Sequence, residues 1–89
     1  MGYAWRPEAL DELPEGVTPH GAQQVLDGPT VRRWLSEEVL AAFGVTPGRA
    51  YLVVFLSEGE AAGDWWVEGA RVMFPAERKL YDELTRGQQ

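Results

Sequence analysis

The chain contains no cysteine, isoleucine or asparagine, one histidine (His20) and one lysine (Lys79) among 89 residues. Without cysteine there is no disulfide staple, thiolate nucleophile or thiolate metal ligand. With a single histidine a zinc site within one chain is disfavoured, and no metal or cofactor is expected. No apolar run approaches the roughly 20 residues that cross a bilayer. The start, MGYAWRPEAL, has neither the basic residues nor the apolar stretch of a signal peptide. The expectation is a cytoplasmic protein with no membrane contact. Seven arginines against one lysine suggest a GC-rich bacterial genome.

Acids outnumber bases, giving a net charge of −6. Residues 1–30 hold five acids and one base, Arg6. An excess of negative charge repels phosphate at long range, so generic nucleic-acid binding is disfavoured and RNA contact would need a local basic patch. Arg32, Arg33, Arg49, Arg71, Arg78 and Lys79 are the candidates for one. Scattered solvated charge is the plainer account of them. At this length the chain forms one domain, 1–89, with one modest core.

Punctuation along the chain is clear. Pro7 suits the first position of a helix over 7–13, with Glu8, Asp11 and Glu12 at the favourable end of its dipole. Pro14 and Gly16 end it. Thr18 caps and Pro19 opens a second helix, whose stripe is Ala22, Val25 and Leu26 and whose stop is Gly28–Pro29. YLVVFL at 51–56 is β-branched and aromatic, and apolar on both faces, which places it mid-sheet. WWVEGARVM at 65–73 reads as a second strand. Simple alternation puts Trp65, Val67, Gly69, Arg71 and Met73 on one face and Trp66, Glu68, Ala70 and Val72 on the other. Pro75 opens a last helix, with Arg78–Asp82 and Lys79–Glu83 as i,i+4 pairs.

Residues 30–43, TVRRWLSEEVLAAF, admit two readings. Trp34, Leu35, Val39, Ala42 and Phe43 fit helical spacing, and residues 36–43 are helix-prone. A hairpin of 31–35 with 38–43 is the rival. With either reading, helices cover one face of a mostly antiparallel sheet.

No standard catalytic motif is present: no phosphate-binding glycine loop, no G-x-S-x-G, no H-E-x-x-H. His20 in a helical first turn reads as a surface group. Glu77–Arg78 reads first as a dipole-favourable helix start. Arg71, in apolar company beside Gly69, must snorkel to solvent or pair with an acid.

Several stretches resemble the BrnT-type toxins of bacterial toxin–antitoxin pairs. These are EEVLAAFG, YLVVFLSEG and EGARVMFPAERKLYDEL, with Trp5, Gly16–Val17, Ala22…Val25 and Asp27…Pro29 before them. Glu38, Gly44, Val53–Val54, Ala70–Arg71 and Glu77–Arg78…Tyr81 stand at the family's motif positions. The resemblance implies an α+β, RelE-like fold: two N-terminal helices, an antiparallel sheet of three to four strands and a C-terminal helix. It favours strand over helix at 36–43. It implies RNA cleavage blocked by an antitoxin, with Arg71 and Arg78 as phosphate clamps and Glu77 or Glu38 as base.

The chain departs from the family pattern where cations would be. Pro14–Glu15 replace a Lys-His, Val39 replaces an Arg, and Phe74–Pro75 replace a capping Thr. With net charge −6, the expectation is a protein-binding domain with nuclease activity lost or reduced. It would dock a small antitoxin-like protein on an open sheet face near Trp65, Trp66 and Arg71. The alternatives are an active ribonuclease toxin and an orphan domain that self-associates.

Overall fold

The computed structural model describes residues 2–86. Five strands and three helices run β1 (Gly2–Trp5), α1 (Pro7–Asp11), α2 (Pro19–Asp27), β2 (Val31–Trp34), β3 (Leu40–Val45), β4 (Tyr51–Glu58), β5 (Asp64–Val72) and α3 (Pro75–Arg86). The strands form one sheet in the order β1-β5-β4-β3-β2. The fold is thus α+β, with five strands rather than three to four. The sheet is mixed, because β1 lies parallel to β5 while every other pairing is antiparallel. No helix among the described residues is long and apolar enough to cross a membrane.

The helix signals act as read, with one helix shorter than expected. α1 stops at Asp11 and buries only Ala9. In α2 the Thr18 hydroxyl accepts the Gly21 N–H at 3.0 Å, satisfying one of the orphan donors of the first turn. Its buried stripe is Ala22, Val25 and Leu26. Gly44 of β3 lets α2 sit close: a Cβ there would stand 2.7 Å from Val25 Cγ1.

Residues 31–45 form the hairpin, against the helical propensity of 36–43. Ser36 makes the turn, its Oγ accepting the N–H groups of both Glu38 and Val39 at 3.2 Å. Once the chain turns there, Leu40 and Ala42 fall on one face of the sheet and Ala41 and Phe43 on the other, and both sets pack. Tertiary burial thereby outweighs the few tenths of a kcal/mol per residue that propensity offers.

The helices do not share a face. α1 and α2 cover the face carrying Leu40, Ala42, Leu52, Val54, Leu56 and Val67. α3 lies over the opposite face, where Ala41, Val53 and Met73 are buried beneath Phe43, Tyr51, Phe55 and Tyr81. β4, apolar on both sides, is accordingly the central strand.

β5 breaks simple alternation. Phe55 pairs with Gly69 and Leu56 with Val67, leaving Glu68 as an extra residue, a β-bulge. The bulge reverses the phase of the strand. Trp65, Val67 and Ala70 point to the α1–α2 core, whereas Trp66, opposite Ser57, and Gly69 and Arg71, opposite Phe55 and Val53, lie on the α3 side. The expectation that Trp65 and Arg71 share a face is therefore corrected, as is that of Ala70 opposite Val67.

Candidate functional site

The candidate residues cluster where β5 passes into α3. Arg71 projects from β5 and meets Glu77 in the first turn of α3, in a two-pronged ion pair of 2.6 and 2.9 Å. Arg71 Nη1 also donates to the Val72 carbonyl at 3.1 Å. Its guanidinium lies 4.3 Å from the Phe74 ring centre and 5.5 Å from that of Phe55. Glu77 Oε1 in addition accepts the Phe74 N–H at 2.8 Å. That is the back-reaching half of a capping box, made by the third residue of the helix to the residue before it. Glu77 thus secures the helix start and the arginine together.

The electrostatics follow. The hydrogen bond from Arg71 holds the Glu77 carboxyl below its ordinary range, against a smaller opposing effect of burial. The same hydrogen bond raises Arg71. A carboxylate held in this way is a weak proton acceptor, since a general base works best with a pKa near the operating pH.

Arg78, one residue along, stacks its guanidinium 4.1 Å from the Tyr51 ring centre. The Tyr51 hydroxyl donates to Asp82 Oδ1 at 3.0 Å, and Tyr81 meets Tyr51 edge-on at 6.0 Å. Burial, followed by the proximity of Tyr51 and Asp82, raises the Tyr81 pKa. Both Arg78 and Asp82 are drawn to Tyr51. Among the described residues neither Arg78–Asp82 nor Lys79–Glu83 forms the expected i,i+4 ion pair.

Glu38 is not brought to this cluster. It lies exposed on the β2–β3 turn, five residues along from Phe43, which stands opposite Val53 and so level with Arg71. At about 3.3 Å per residue that separation is roughly 16 Å. Glu38 instead borders a shallow depression with Arg6, Ser57 and Glu68. His20 is exposed in the first turn of α2, among the helices of the other face.

The tryptophans part company. Trp65 packs on the α1–α2 core and lies 6.1 Å from Trp34, the planes tilted by 45°. Trp66 is on the other face, covered by the Arg6 guanidinium 4.2 Å from its ring centre. Arg6 is fixed by Glu68 at 3.2 Å, and Glu68 accepts from Ser57 at 2.7 Å. The two rings are half-buried and on opposite faces, so they do not form one platform with Arg71.

Sequence reasoning missed the groove between α3 and the β2–β3 hairpin. Its apolar walls are Val31, Phe43, Leu80, Tyr81 and Leu84, Arg33 and Glu77 line it as well, and it holds about 180 Å³. The signal was the four-residue spacing of Leu80 and Leu84 on the last helix. In the fold they are 44% and 37% exposed. Among the described residues no three histidine or acidic side chains converge to hold a metal ion. Comparison with protein-family models gave no match, and no curated protein matched the sequence significantly.

Proposed function

We propose that this chain is a RelE-like domain of the BrnT kind that acts by binding another protein, with RNA cleavage lost or much reduced. The observation that carries this reading is the Arg71–Glu77 ion pair. The two groups that a nuclease would direct at phosphate and at the 2′-hydroxyl spend their charge on each other. The second candidate base, Glu38, belongs to the far end of the hairpin. Arg78 is stacked on Tyr51, and the chain carries a net charge of −6, which weakens attraction for a polyanion. The kinship draws support from two helices following β1, a hairpin over 31–45, and an arginine near the end of the last strand before a closing helix.

One observation favours the ribonuclease alternative: Arg71, Glu77 and Arg78 lie at the same end of α3. Induced expression in a bacterial host, with growth and total RNA followed in time, separates the two. Unimpaired growth and intact RNA are expected. Growth arrest with RNA loss, relieved by Arg71→Ala, would overturn the reading. Binding is tested by co-purification with a small protein encoded beside this chain.

A further inference from the structure

β2 is an edge strand. Its pairing parity is set by the turn: the Leu35 N–H donates to Val39 O at 2.8 Å. In an antiparallel ladder alternate residues bond to the same neighbour. Val31 and Arg33, with Leu35, therefore turn their main chain toward β3. Arg32 and Trp34 turn theirs outward, where among the described residues no strand lies.

The side chains at this edge divide by face. Val31 and Arg33, opposite Phe43 and Ala41, lie on the α3 side, beside the apolar groove with Leu80 and Leu84. Arg32 and Trp34 lie on the other face, where Arg32 donates to the Tyr3 hydroxyl at 2.9 Å and Trp34 is 53% exposed. Arg33 is exposed, with no carboxylate within ion-pair distance among the described residues. The stretch 28–36 carries two cations and no acid in a chain of net charge −6.

We infer that the β2 edge accepts an extended segment of a partner protein by strand addition, a segment that alternates apolar side chains and carries a carboxylate for Arg33. This rests on the protein-binding reading above and specifies its site. The main chain of Arg32 and Trp34 supplies the ladder. The groove takes the apolar side chains of one face, and Trp34 offers an apolar surface to those of the other. Charge at a sheet edge commonly guards against indiscriminate pairing. Two adjacent arginines keep that guard against neutral and basic strands while favouring an acidic one.

Selection of a random peptide library on the full chain, followed by synthesis of the recovered peptides, tests this. Recovered sequences are expected to alternate apolar and acidic residues. On binding, the Arg32 and Trp34 amides should become protected from hydrogen exchange, whereas those of Val31 and Arg33 are protected already. Arg32→Pro removes an outward N–H without touching the β3 ladder, so the variant should fold and lose binding. Arg33→Glu and Leu84→Asp should each weaken it about tenfold or more. His20→Ala should bind as the parent does. Recovery of no peptides, of basic peptides, or of peptides that bind Arg32→Pro unchanged would overturn the inference. In the last case, loss of binding on Phe74→Ser, which removes an exposed ring beside Arg71, would leave protein binding standing at another surface. RNA cleavage by the parent chain would sink the functional reading alone.

Discussion

At the scale of single residues, the Arg71–Glu77 pair shows what a sequence conveys and what it withholds. That Arg71 needed an acid or solvent was legible from its apolar neighbours. That the acid would be Glu77 was not, because the partnership depends on how α3 leaves β5. Glu77→Gln isolates the charge, since the amide oxygen still accepts the Phe74 N–H. The pair is about a quarter exposed, so a loss of about 1 kcal/mol at neutral pH is expected after allowance for solvent screening. Because the folded-state Glu77 pKa is lowered, this contribution is complete above the ordinary glutamate range. It fades as pH falls through the depressed folded value. Urea unfolding of parent and variant should therefore differ at neutral pH and converge in acid.

Gly44 is a second residue-scale case. Glycine in a strand weakens it unless something approaches closely, and here Val25 does. Gly44→Ala should destabilise by about 1–3 kcal/mol, the usual cost of overpacking. Adding Val25→Ala should recover part of the loss, a positive coupling that denaturant titration of the single and double variants measures.

At the scale of elements, caps and stops were legible because they are local chemistry, as at Thr18 and Pro75. The hairpin was legible only as one of two readings, with the resemblance favouring it over propensity, and the bulge not at all, since it does not follow from a neighbour in sequence. Periodicity assumed an unbroken strand over 65–73, and one extra residue inverted half of it. Deleting Glu68 should leave every other β5 side chain on its present face and cost about 1–3 kcal/mol. Deleting Val72 instead would slip Met73 to the wrong face, and circular dichroism should show a much larger loss. α3 buries no residue of its own. An ion pair, one hydroxyl bond and ring contacts hold it. Its amides should exchange well ahead of those of β3 to β5. The gap should widen with added salt, which screens an ion pair about a quarter exposed.

At the scale of the whole molecule, class and a central 51–56 strand were readable, because only a strand covered on both sides is apolar on both sides. Sheet order was not. It depends on β1, four residues without a strand signature that become one by lying against β5. That pairing also positions Arg6 over Trp66 and Tyr3 beside Arg32. Reach from Tyr3 on one edge strand to Arg32 on the other, with three strands between, requires a strongly curled sheet. The candidate residues are charged and aromatic by identity, but their grouping follows a topology that no local signal encodes.

The parallel seam between β1 and β5 joins residues more than sixty positions apart. β1 is thus made well before its partner strand, and it must stay solvated while everything between is synthesised. Such a distant closure makes for slow, late folding. The nascent chain, with Tyr3 and Trp5 bare, is the form of this protein most in need of a chaperone.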